Sequence, residues 1–203
     1  MPQNLGPRQW FRLGCLALAL VAGTALADDY DPITQLIRSG QWAEAMQKAD
    51  QYLAKNPRDP QMRFLKGLIQ QDSGKPADAL ATFFKLTEDY PELPEPYNNL
   101  AVLYAAQGQL DKARLALETA IRANRNYAIA HENLGDVYAR LAAQSYAQSQ
   151  QLDATNNTVV PKLTLIRQLV GGPASAPARP IVPATDRTRP PAPAASADRK
   201  SVV

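Results

Sequence analysis

Thiols, imidazoles and long apolar runs are scarce in this chain. Cys15 is the one cysteine and His131 the one histidine among 203 residues. A single thiol cannot close an intrachain disulfide, and one Cys with one His does not supply a zinc site. No second imidazole and no close pair of carboxylates stands ready for acid–base work. A phosphate-cradling loop needs clustered glycines, but Gly40, Gly74 and Gly108 are dispersed 34 residues apart. These absences argue against an enzyme and against any catalytic residue, cofactor or metal centre.

An excess of one charge is also missing from most of the chain. Residues 28–171 hold 15 Lys and Arg against 17 Asp and Glu, whereas residues 172–203 hold 5 basic and 2 acidic residues. A near-neutral body with mixed signs is no electrostatic footprint for nucleic acid. The longest apolar stretch, 13–27, is 15 residues, short of the roughly 20 that a membrane-spanning helix needs. With Arg8 and Arg12 ahead of it and Ala25-Leu26-Ala27 at its end, it reads as a secretory signal cleaved before Asp28. A periplasmic location follows as the expectation, and membrane contact enters only through this segment if it stays uncleaved. Cys15 stands near the start of the apolar run, right after Arg12-Leu13-Gly14, instead of closing it, so it does not read as a lipid-attachment site. Cleavage leaves a thiol-free chain, suited to an oxidising compartment.

What the chain does have is a repeat. Gly40, Gly74 and Gly108 share a 34-residue period with Ala45, Ala79, Ala113 and Ala147 and with Pro57 and Pro91. Each Gly falls between two amphipathic segments, where a helix end needs a residue tolerant of positive φ. Each Ala lies one turn into the second segment, where a small side chain lets two helices approach. Each Pro stops that second helix. The unit is a helical hairpin that cannot bury its apolar faces alone, so copies must stack.

These residues resemble the tetratricopeptide-repeat family. Tyr97, Leu100, Ala101, Tyr104, Gly108, Ala113, Leu117 and Ala120 follow its pattern through one copy. His131, Leu134, Gly135 and Tyr138 begin the next, and Gly67, Gly74, Ala79, Phe83 and Pro91 mark the previous one. In the copy from Pro60, Arg63, Lys66 and Gln70 stand where the family prefers apolar residues. Either that helix is rotated, or Phe64 and Leu68 face the groove. The copy from Ala128 has no turn glycine, which predicts one long helix over 128–152. The resemblance gives His131 a packed structural role at an aromatic position.

The expected architecture is all-α: a right-handed solenoid of helical hairpins with three to four tetratricopeptide repeats and a C-terminal capping helix. Its parts are the signal segment 1–27, a partial repeat 28–59 whose first helix starts at Asp31-Pro32, and full repeats 60–93 and 94–127. A shortened repeat 128–157, a capping helix 158–171 and a disordered Pro/Ala-rich basic tail 172–203 complete it. The resemblance implies a protein-binding scaffold whose concave groove holds a partner segment. It places Phe64, Leu68, Asn98, Val102, Glu132, Asp136 and Arg140 on that groove. Glu132, Asp136 and Arg140 recur every four residues and share one helix face. Acid residues at these places do not suit a basic clamp for acidic tails, so the expected partner has mixed polarity and a basic group. The alternatives are a self-assembling, homo-oligomeric structural component and a non-catalytic subunit of a cell-envelope complex.

Overall fold

The computed structural model describes residues 25–171. The apolar run through residue 24 and the basic tail from residue 172 lie outside the described residues. Among the described residues eight helices follow one another: α1 Ala25–Arg38, α2 Trp42–Lys55, α3 Pro60–Asp72, α4 Pro76–Asp89, α5 Pro94–Ala106, α6 Leu110–Ala123, α7 Ala128–Leu152 and α8 Val159–Gly171. Among the described residues there is no strand. Each helix packs on the one before it and the one after it, so the chain builds an open stack.

Local chemistry sets the boundaries. Gly40, Gly74 and Gly108 all carry positive φ, at 73°, 79° and 72°. The residue after each glycine donates its N–H to a carbonyl five residues back: Gln41 to Leu36, Lys75 to Gln70 and Gln109 to Tyr104. This is the left-handed helix stop that the spacing implied. Proline starts α3, α4 and α5, where its missing N–H has no helical acceptor anyway. α2 and α4 end at Lys55 and Asp89, two residues before Pro57 and Pro91.

Two places depart from the sequence reading. α1 does not begin at Asp31-Pro32. It begins at Ala25 and carries Pro32 inside. Pro32 is the eighth of the 14 residues of α1, so its missing N–H leaves the Asp28 carbonyl without its helical donor in the middle of the helix. Asp59 then ties α1 down. One of its carboxylate oxygens accepts from the Met62 N–H at 2.7 Å and caps α3. The other accepts from the hydroxyls of Tyr30 at 2.6 Å and Tyr52 at 3.3 Å. Burial, then the bonds to Asp59 and Tyr52, push the Tyr30 phenol far up, so it stays a donor.

α7 runs unbroken over 25 residues, the long helix expected from the missing glycine. The core follows the stack. One buried cluster joins α1 to α5 through Ile33, Ala45, Leu65, Phe83 and Leu103, and a second joins α5 to α7 through Ala101, Leu117, Ala130 and Val137. Tyr104 and Ala116 border both.

Gly67 and Gly135 hold the same place in their repeats, and the structure treats them oppositely. A Cβ on Gly67 would lie 2.5 Å from Phe83 Cε1, whereas one on Gly135 would meet nothing within 4 Å. In α7 the turn that would bring a second helix against Gly135 is absent, so the small residue has lost its packing role. Gly67→Ala is expected to destabilise the protein by about 1–3 kcal/mol in urea unfolding. Gly135→Ala is expected to stabilise it by up to about 1 kcal/mol. Equal effects would contradict this packing.

Candidate protein-binding face

A helix turns about 100° per residue, so three sides of α7 can be told apart by what they touch. Asn133 faces α5, donating from Nδ2 to Asn98 Oδ1 at 2.8 Å with both residues buried. Tyr138 reaches toward α6, its hydroxyl 3.3 Å from Glu118. The third side carries Glu132 and Asp136, both exposed, with Ile129 and Arg140 half-buried. On α5, Asn98 faces α7, while Ala101 joins the core toward α6 and Leu100 and Leu103 join the core shared with α3 and α4. Glu95, Val102 and Ala106 remain on its open side.

The open sides of α5 and α7 meet beside the Asn98–Asn133 bond and form one face. Its charges are unspent. Among the described residues, none of Glu95, Glu132, Asp136 and Arg140 is in an ion pair. Asp136 and Arg140, one turn apart, do not close on each other. Polar groups beneath the face are also unspent. Asn99 donates from Nδ2 to the Glu95 carbonyl at 2.9 Å, and its buried Oδ1 receives no donor. The Tyr127 hydroxyl is buried without a partner. Burial, then the Glu95 carboxylate, push its pKa up to about 12.

Several expected groove residues are elsewhere. Phe64 is 4% exposed and Leu68 0%. Phe64 packs its ring 5.5 Å from that of Phe83. Both belong to the core, on the same stripe of α3 as Gly67, and offer no partner a surface. Of the two readings open from the sequence, the rotated apolar stripe holds. Arg63 and Lys66 turn outward instead, to Asp89 at 2.8 Å and Asp50 at 2.7 Å. Asn98 is 1% exposed and is consumed by Asn133. Val102, Glu132, Asp136 and Arg140 stay on the face. Glu95 and Ala106 belong there as well and were not anticipated. Glu95 shares its repeat position with Ile129, which could have marked it.

His131 is exposed, not packed. Its Nε2 donates to the Arg125 carbonyl at 3.0 Å and braces the turn where the repeat's proline is replaced. Among the described residues no three His, Cys, Asp or Glu are grouped to hold a metal, and no helix is long and apolar enough to cross a membrane. A wide-open depression of about 670 Å³ lies at the turns before α2 and α4, lined on its apolar side by Trp42, Ala43 and Met46.

Stacked helical hairpins with a 34-residue period and an open face of first helices define a tetratricopeptide-repeat solenoid, a fold of interaction scaffolds. Residues 30–156 match the family described as Psidin, N-terminal TPR repeats region. That is more than half of the chain, and the chain belongs to the tetratricopeptide-repeat family. The crystal structure of TTC0263, a thermophilic TPR protein of Thermus thermophilus, aligns with a TM-score of 0.54 at 25% identity. The match covers 71% of this chain and 82% of that one. The chain is 34% identical over 93 residues to the "Probable biofilm formation methyltransferase WspC" of Pseudomonas putida, covering 46% of this chain and 22% of that protein. It is 33% identical over 82 residues to the TPR repeat-containing thioredoxin TTL4 of Arabidopsis thaliana, covering 40% and 12%. The chain thus spans a small part of the length of these curated relatives.

The Asn98–Asn133 bond yields a direct check. Asn133→Ala strands Asn98 Oδ1 in the core and is expected to cost about 1–3 kcal/mol. Removing both side chains is expected to cost less than the two single changes together, with a coupling of about 0.5–3 kcal/mol in a double-mutant cycle. Additive losses would show that the bond does not join the two helices.

Proposed function

We propose that this chain is an exported, periplasmic scaffold that holds an extended segment of a partner protein across the open face of α5 and α7. The observation that carries the reading is the set of unpaired carboxylates, Glu95, Glu132 and Asp136, around the apolar Val102 and Ile129. A partner with a basic group between small apolar residues supplies both complements. Charge-assisted hydrogen bonds to Arg or Lys give direction, and apolar contact gives area. The rigid stack holds the face ready, which lowers the ordering cost of binding. Export rests on the signal-like residues 1–27, and cleavage before Asp28 would fall inside the first turn of α1. Tyr30 would still be present to hold Asp59.

A second reading, end-to-end self-assembly, rests on the last helices. Leu152, Leu165 and Leu169, all on the last two helices of the stack, are 80%, 59% and 65% exposed. A repeat array usually closes such an end with polar residues.

The two readings separate by experiment. A Glu132→Ala/Asp136→Ala/Arg140→Ala variant that keeps its helical circular dichroism is expected to lose the protein that the unaltered chain captures from an envelope extract. A Leu165→Ser/Leu169→Ser variant is expected to keep it. The reverse pattern, with mass rising with concentration in light scattering only for the unaltered end, would favour assembly.

A further inference from the structure

The α7–α8 hairpin ends beside the open face. Lys162 Nζ lies 5.8 Å from the centroid of the Tyr146 ring, across the turn at 153–158 that reverses the chain. Counting forward along α8 and back along α7 from that pair, Gly171 stands about level with Val137. Among the half-buried residues of the second half of α7, Ala143, Ala147 and Gln150 continue the line of Asp136 and Arg140 at helical spacing, with Tyr146 beside them. α8 packs on α7 and so covers that line up to about Arg140, stopping where the exposed acids begin.

The chain continues from this point into residues 172–203, which carry Arg179, Arg187, Arg189, Arg199 and Lys200 against Asp186 and Asp198. We propose that this tail, in the same molecule, lies across the open face with Arg179, Arg187 and Arg189 among Glu95, Glu132 and Asp136. A partner must then displace it. The inference rests on the reading of this face as protein-binding and names its resident occupant.

Three observations converge on it. The signs are complementary, since the face carries three unpaired carboxylates and the tail holds the chain's basic excess. The reach is sufficient. At about 3.1 Å per residue in an extended proline-rich chain, Arg179 can travel about 25 Å from Gly171. Packed helix axes are only about 8–10 Å apart, so both α7 and α5 come within range. The side chains fit: Pro180, Ile181, Val182, Pro183 and Ala184, between Arg179 and Arg187, offer apolar contact to Val102, Ala106 and Ile129, and the prolines reduce the entropy lost on docking. Beneath the face, Asn99 Oδ1 is a buried acceptor without a donor, fixed beside Glu95 by its own Nδ2 bond. Arginine suits the site better than lysine because its planar fork can take one carboxylate with two bonds.

The test uses the whole chain with Cys15→Ser and one nitroxide attached at Thr188→Cys. Isotope-labelled amides of Val102, Ala106, Glu132 and Asp136 are expected to lose signal, while those of Lys48 and Asp78 keep it. Replacing Arg179, Arg187 and Arg189 by Glu is expected to restore the lost signals, as is Glu132→Gln/Asp136→Asn on the folded face. Uniform loss, no loss, or loss that appears only when labelled and spin-labelled chains are mixed would overturn an intramolecular tail. Partner capture separates the two ideas. If the tail makes no contact but capture still depends on Glu132 and Asp136, the scaffold reading stands and this one falls. If capture is also indifferent to them, both fall.

Discussion

A two-helix unit of 34 residues has more apolar surface than it can cover by itself. Every other feature follows from that constraint. The second helix of one unit must touch the first helix of the next, so small residues stand where helices cross and aromatic rings fill the space between them. Within one unit, Gly67 of α3 lies so close to Phe83 of α4 that there is no room for a methyl group. The turn glycines reverse the chain within three residues, so that each pair of helices lies close enough to share a core. Core Ala45, Ala79 and Ala113 are fully buried at equivalent places, which shows the same contact made in each hairpin.

The period, the turns and the unbroken α7 were legible because each depends on a local residue type: a glycine present, or a glycine missing. What was not legible depends on neighbours. Phe64 and Leu68 stand at positions that face outward in the family pattern, yet the stripe of α3 is shifted and buries them. Their outward-looking companions Arg63 and Lys66 were the available signal, since a charge on the supposed inner side requires an apolar residue to replace it there. Asn98 looked like a groove residue because it is polar. Its partner Asn133 comes from the next repeat, and a one-residue offset in the period hid the pairing. The start of α1 was misjudged because a proline after an aspartate reads as the first helical residue even when about two turns of helix precede it. The Tyr30–Tyr52–Asp59 junction joins three helices and leaves no mark in a one-dimensional pattern.

The same logic explains why the open face lies where it does. α5 and α7 each spend two sides on neighbours and have one left over. Ion pairs elsewhere mostly link residues of one helix or of adjacent helices, as at Arg114–Glu118 and Arg63–Asp89. On the open side the acids remain unpaired, and Glu132 and Asp136 repel each other from one turn apart. That arrangement costs the isolated fold a little and favours any basic segment that arrives. The lengthened α7 and the return of α8 bring the end of α8 back to the margin of this face.

Hydrogen exchange of the full chain tests the central claim, that stability comes from stacking on neighbours. If it does, amides of α3 to α6, with partners on both sides, exchange slowest, and those of α8 and the second half of α7 exchange first. Protection as strong in α8 as in α4, or independent of position along the stack, would contradict it.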